Sequence, residues 1–449
     1  MKTSINLTEG PILRGLVLFA IPLMLSNLFQ QLYNTVDSVV VGQFAQAGSL
    51  AAVGGTGALV NLMVGFFLGI STGTGVLYAM HYGANDKQGL RNITNGALLL
   101  SLACGAVITA FAIGFAPQLL RLMDTPEDVI DLAVRYFRGL MVGVIPMLLY
   151  NVGAGMIRAG GDSAKPLLYL FVSGAVNVGL DLLFVAAFDW GVAGAAAATV
   201  LSQFVSAVLV LVHLARLPQD YRLRPLHLGT TRVTLWDIAR ISFPCGLQSA
   251  MFNISNLLVQ TKINSFGSVA MAGVTAYTKL DGFVYMPIWA LSFAVSTYVG
   301  QNIGAGRYDR VRKGVRVCVT LGVICTLVVD AVIILCHNSL LGLFTEVESE
   351  QAYAVQMMWF LVSLEWVYVF SDVLGGAMRG AGQAVKVTCV SACCICLFRI
   401  VWLSVALLVV NDISTVFICY PLSWLLSTVV MTICYFKSSV IRRCKSQSA

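Results

Sequence analysis

Charge is what this sequence has least of. Only 11% of its 449 residues are Asp, Glu, Lys or Arg, against roughly a quarter in an ordinary soluble protein. A globule of this size has too little charge to solvate its outside, which excludes a water-soluble enzyme and a disordered chain. The net charge of +7 forms no soluble basic face, so a nucleic-acid binder is excluded as well. Histidine is scarce, and His81, His213, His227 and His337 are too scattered to make a metal set. The twelve cysteines do not read as a disulfide framework. Cys389, Cys393, Cys394 and Cys396 crowd one apolar run, where small, fairly apolar side chains suit helix contacts in lipid and where a metal site would lack its polar cage. No secretory signal is expected: the first apolar run, about 12–41, is too long and has no small-residue cleavage site. No nucleophile–base pair or extramembrane domain supports an enzyme.

What the chain does have is apolar length. Hydrophobic residues make up 58% and the mean hydropathy is +0.84. With about 20 apolar residues needed per membrane helix, twelve spans are predicted. They fall near 14–41, 49–80, 93–115, 131–157, 165–187 and 191–214, then 237–264, 269–302, 314–336, 351–378, 386–409 and 413–436. The alternating short segments of a transmembrane β-barrel are absent. The fold class is therefore an all-α membrane protein of twelve transmembrane helices. Of the 28 basic residues, 22 lie at the two termini and the loops after even-numbered spans, and three (Arg121, Arg135, Arg138) on the opposite face. Basic loops stay inside, so both termini are expected in the cytoplasm.

The sequence also repeats. Gly83-Ala84 returns as Gly304-Ala305, Met156-Ile157-Arg158 as Ala377-Met378-Arg379, and Lys165 as Lys386, each 221 residues later. Pro22 and Pro244 miss that offset by one. This predicts two pseudo-symmetric six-helix lobes, 1–214 and 237–449, joined by a cytoplasmic linker over 215–236 that contains Pro218, Pro225 and arginines. Halves of six spans share one topology, an arrangement that places a cavity between lobes and suits alternating access. A transporter needs that architecture and an enzyme does not.

Several stretches resemble one family. Glu9-Gly10-Pro11, Pro22, Asp37-Ser38-Val39-Val40-Val41-Gly42, Gly155-Met156-Ile157-Arg158-Ala159-Gly160-Gly161-Asp162, Asn177 with Asp181, and Gly191-Val192-Ala193-Gly194-Ala195 through Thr199 are similar to the MATE (multidrug and toxic compound extrusion) transporters. The resemblance spans essentially the whole chain and weakens in spans 11 and 12. It implies a twelve-helix, two-lobe antiporter that exports organic cations against inward Na+ or H+, with a cation site at the matching first-lobe positions.

The residues themselves point the same way. Ionisable side chains inside spans are expensive and mark function. Asp37 lies about six residues, roughly 9 Å, inside the outer end of span 1. Asp181 lies at similar depth in span 5, Asn177 one turn deeper on the same face, and Thr199 roughly 12 Å into span 6. Four oxygen-bearing side chains on three helices suit a small hard cation, and two carboxylates in one low-dielectric pocket cannot both stay ionised cheaply. Asp37, Asn177, Asp181 and Thr199 are thus the candidate cation-coupling site, taking Na+ or H+ and no other cofactor; the plain alternative is a structural polar network. In the second lobe Lys279, Asp281, Asp330, Glu365, Asp372 and Arg399 sit within spans, and Arg399 is expected to pair with one of the acids. Gln30, Tyr33, Tyr136, Tyr150, Gln248, Asn253 and Tyr285 are candidate substrate contacts through cation–π and soft packing. Any of these is also ordinary packing material. Lys262 is expected to snorkel to headgroups.

The sequence thus reads as a monomeric, ion-coupled multidrug antiporter of the cell membrane. Its partners are the bilayer and a small cationic, amphiphilic substrate, with no nucleic acid. The rival within a related fold is a flippase for lipid-linked sugars, which favours a basic cavity, whereas the first-lobe spans carry acids and no bases.

Overall fold

The computed structural model describes residues 5–44, 49–123, 125–127, 129–217 and 229–438. Most of the predicted linker, with Pro218, Pro225 and His227, lies outside the described residues, as do the terminal cations Lys2, Arg442, Arg443 and Lys445. Every predicted span is present as helix. The first half has α1 (Ile12–Phe44), α2 (Ser49–Gly83), α3 (Lys87–Arg121), α4 (Ile130–Val142), α5 (Val144–Ala159), α6 (Ala164–Asp181) and α7 (Gly191–Ala215). The second half has α8 (Arg232–Asn264), α9 (Ser268–Gly304), α10 (Tyr308–Gly342), α11 (Glu348–Gly380), α12 (Ala384–Ser391), α13 (Phe398–Val409), α14 (Ile413–Phe417) and α15 (Cys419–Lys437). Among the described residues there is no strand.

Two spans contain π-helical turns, Leu182–Ala187 directly after α6 and Ala392–Leu397 between α12 and α13. The fourth span is broken: α4 and α5 are bent by 47° at Gly143. Pro146 follows in the first turn of α5, where a proline's missing N–H costs nothing. By length and composition ten helices can cross a membrane, or eleven with the bent pair counted as one span. The remaining predicted span, the seventh (237–264), is α8, which is 33 residues long but interrupted by Asp237, Arg240, Gln248, Asn253 and Asn256. Elsewhere large apolar side chains face outward, such as Val107 at 69%, Leu335 at 83% and Leu408 at 86% exposure. In water that pattern would be an aggregation hazard, whereas in lipid it is the expected outer face.

The chain divides into two compact units, Met1–Ile5 with Pro22–Phe243 and Asn6–Ile21 with Pro244–Ala449. The change of unit falls inside α1 and α8, at prolines that break the i→i−4 ladder, and not in the 215–236 segment. In the first unit Leu77, Leu90, Ile93, Met156, Val210 and Ile238 form one buried cluster. In the second, α9 is the central element, packed chiefly on α10 and α11.

The repeat seen in sequence is visible in hydrogen bonds and close approaches. In the first unit Ser71 donates to the Asn151 carbonyl; in the second, Ser292 donates to the Asp372 carbonyl at 2.9 Å, 221 residues later at both ends. Gly155 and Gly376 keep the same offset and let the helix backbones approach, as small residues do in membrane bundles. A Cβ on Gly376 would clash with the Ser292 carbonyl oxygen. Gly376→Ala is therefore expected to cost about 1–3 kcal/mol by overpacking, read as a lower melting temperature of the purified protein. Because the obstacle is backbone, Ser292→Gly should not rescue it; rescue would show that the contact is with the side chain.

Candidate functional site

The structure brings first-unit candidates together. Asp181 is the last residue of α6, at the point where the helix widens into the π-turn. Such turns are frequent at functional sites. Asp181 and Asn177 are both fully buried. The Asp37 carboxyl of α1 faces that of Asp181 within hydrogen-bonding reach. Neither Asn177 Oδ1 and Nδ2, nor the two Asp181 oxygens, nor Asp37 Oδ1 finds a partner among the described residues. Leaving one buried polar group unsatisfied costs about 1–3 kcal/mol, so the four oxygens among these five atoms call for a shared proton or a cation.

The wall of the pocket is aromatic. The Tyr33 hydroxyl, one turn before Asp37, faces Thr199 and Ser202 of α7 and lies beside both carboxyls. Buried Tyr136 of α4 lies beside Asp37, Tyr33 and Asp181. Thr199 donates to the Ala195 carbonyl at 3.0 Å, which leaves its oxygen lone pairs to accept. Sequence reasoning missed Ser202, although its spacing of three from Thr199 on α7 places it on the same face.

The other candidates separate. Tyr150 donates to the Pro166 carbonyl at 3.2 Å and serves helix packing, while Gln30 is exposed and Asn253 half-exposed. Arg158 at the end of α5 is buried, so the first unit does bury one base. Gln248 and Tyr285 belong to a polar cluster in the second unit. There Arg379 donates from Nη2 to Ser292 Oγ at 2.9 Å and from Nη1 to Gln248 Oε1 at 3.4 Å, and lies 3.8 Å from Asp372 Oδ1. Gln248 in turn donates to Ser391 at 2.9 Å. Tyr285 packs on Tyr368 with ring centroids 5.2 Å apart. The cluster encloses about 20 Å³, room for a water and not for a drug.

The second-lobe acids split into two groups. Asp281 of α9 faces Glu365 of α11, Asp330 of α10 lies beside them, and Tyr277 neighbours all three. Glu365, Asp330, Tyr277 and Thr326 are at most 2% exposed. Both oxygens of Glu365 and of Asp330, with Asp281 Oδ1, Tyr277 Oη and Thr326 Oγ1, find no partner among the described residues. Asp372 stands apart with Arg379. Tyr277 precedes Asp281, and Thr326 precedes Asp330, by one helical turn, a spacing readable from sequence. No group of three or more His, Cys, Asp or Glu is placed to hold a metal ion among the described residues. A cation at either acid cluster would need amide, hydroxyl or water oxygens as well.

Arg399 corrects the sequence expectation. It is fully buried, yet its partners are neutral: Ser423 Oγ at 3.0 Å, Asn256 Oδ1 at 2.9 Å and the face of Tyr420, 4.4 Å to the ring centroid. No acid pairs with it among the described residues. An arginine can be held this way because its delocalised charge is weakly hydrated and stacks on aromatic faces. Lys279 is exposed, away from the buried acids.

Comparison with known proteins now decides the family. The MatE family model matches residues 22–183 and again 244–405, together well over half the chain. The chain belongs to the MatE family. Its two matched halves begin at Pro22 and Pro244, where the compact units change over. The chain is similar to the probable multidrug resistance proteins YoeA and YpnP of Bacillus subtilis. YoeA is 29% identical over 84% of this chain and 83% of its own length. YpnP is also 29% identical, over 85% of each. The fold is that of solved MATE structures: a crystal structure of MATE in the bent conformation superposes with a TM-score of 0.91 at 23% identity, covering 100% of this chain and 99% of that one. This MatE chain is a multi-pass membrane protein.

Proposed function

We propose that the protein is a secondary-active antiporter of the plasma or inner membrane, with both termini cytoplasmic, that exports organic cationic amphiphiles in exchange for Na+ or H+. The observation that carries this is the facing pair Asp37 and Asp181, with Asn177 beside it: five buried polar atoms without partners. A proton or Na+ engages the four oxygens among them. Coupling then requires that ion and substrate differ in affinity for two states of the protein. Pro22 lies 15 residues before Asp37 on the same helix and leaves α1 able to bend at the unit boundary. The positions of Tyr33 and Tyr136 beside the carboxyls let an aromatic face accompany an acid, a combination that favours a flat organic cation. The transporter acts as a monomer and needs no cofactor beyond its coupling ion.

The test is dye efflux from vesicles holding the full chain, with Na+ and H+ gradients imposed separately. One of the two gradients is expected to drive export of an ethidium-type cation. Export that runs on ATP with both gradients collapsed would falsify the antiporter reading.

A further inference from the structure

We propose that the exposed face of the first turns of α10 is a binding site for the anionic headgroup of a phospholipid, held by Arg312, Lys313 and Arg316. All three are exposed, and the i, i+1, i+4 spacing puts them on one side of the helix. None of them has an ion-pair or hydrogen-bond partner among the described residues. Their neighbours are differently employed. Arg307 donates to the Thr8 carbonyl at 2.9 Å and pairs with Glu9 at 3.7 Å, while Arg310 donates to the Gly10 carbonyl at 3.0 Å. The inner cations hold the segment before α1, and the outer three hold nothing.

The same face continues as the lipid-facing stripe of α10. Lys313, Thr320 and Leu327 repeat every seven residues, and Ile324 at 54% and Leu335 at 83% exposure lie alongside. Arg316 is therefore about 12 Å along the axis from Ile324 at 1.5 Å per residue. The cations sit at the rim of the apolar band, where headgroup phosphates lie. Asp309, one turn earlier, is the one exposed acid on this face.

The internal repeat supplies a control. The residues 221 positions earlier are Arg91, Asn92 and Asn95. Asn95 is buried and donates to the Gly229 carbonyl at 3.1 Å, and Asn92 accepts from Gln88 at 3.1 Å. The duplicated helix start thus works with two amides engaged by the protein itself. The second unit has exposed cations at those two positions, beyond what starting the helix requires. Clustered Lys and Arg beside a membrane helix attract anionic lipid.

The experiment uses the purified full chain in phosphatidylcholine nanodiscs titrated with phosphatidylglycerol, with inorganic phosphate as a separate arm. Retained lipid is counted by native mass spectrometry and the melting temperature is followed in parallel. The wild type should retain phosphatidylglycerol in preference to phosphatidylcholine and melt higher with it. Each Gln substitution should weaken that preference about fivefold, and the triple variant R312Q/K313Q/R316Q about a hundredfold. Replacing both arginines by lysine should preserve it, as should the Arg121→Gln control. If the triple variant does not fold, Arg316→Gln alone carries the test. An unchanged preference in the triple or the single variant overturns the site. Equal stabilisation by inorganic phosphate overturns the lipid assignment in favour of a free-anion site.

Discussion

Asp37→Asn and Asp181→Asn are each expected to abolish ion-driven export, lowering it at least tenfold, while the protein still inserts and folds. The carboxyls face each other from α1 and α6, and the oxygens Asp37 Oδ1, Asp181 Oδ1 and Asp181 Oδ2 lack any other partner. The two therefore titrate or bind a cation as one unit. The double variant should be no worse than either single variant, because groups that act together are strongly non-additive. Dye binding should survive in all three, and its competition by Na+ or by low pH should disappear. A structural polar network predicts the reverse: loss of stability with normal competition in whatever folds. Near-normal efflux in Asp37→Asn would remove this pair from the mechanism.

The second large effect concerns the two acids of α11, which should behave differently. Asp372→Asn takes away the carboxylate 3.8 Å from the half-buried Arg379, its one ion-pair partner among the described residues, and the loss should fall between that of an exposed pair and a fully buried one, about 1–3 kcal/mol. We expect a correspondingly lower melting temperature, partly restored by adding Arg379→Gln, which removes the stranded charge. Glu365→Gln should leave stability nearly unchanged or raise it, since Glu365 faces Asp281 and lies near Asp330 and neutralising one of three acids relieves repulsion. Its effect should appear in the ion dependence of export. Should Glu365→Gln abolish export while Asp37→Asn does not, coupling belongs to the second unit. Equal melting of wild type and Asp372→Asn would show that the Asp372–Arg379 contact is not stabilising.

The division between these acids illustrates how much could be read without coordinates. Glu365, Asp372 and Arg379 are spaced by seven, so one face of α11 was legible from the numbers alone. Each step of seven rises about 10.5 Å, and which acid meets which neighbour depends on depth. Asp281 on α9 and Asp330 on α10 stand beside Glu365; Arg379, whose side chain leans toward the helix N-terminus as helical side chains do, reaches Asp372. Nothing in the primary order ranks those depths.

For the same reason Arg399 was misassigned. Sequence showed a cation deep in a span and acids elsewhere in the same half, and electrostatics alone would join them. The fold instead supplies Asn256, Ser423 and the ring of Tyr420, neutral groups brought in from α8 and α15, too distant in sequence to be matched by spacing. The Asp37–Asp181 convergence was easier to foresee, because both carboxylates could be measured from the same end of their spans.

Hydropathy by itself determined where the helical spans run, and matched short motifs the 221-residue repeat. In lipid every backbone group must be satisfied within its own segment, so a span is a local property and shows locally. Tertiary structure alone decided where the units divide, at Pro22 and Pro244 inside α1 and α8, where the sequence suggested the linker. It also decided the bend at Gly143 and the partners of each buried charge. Those depend on which helix faces lie against one another, and side-chain contact across helices leaves no periodic trace along either one.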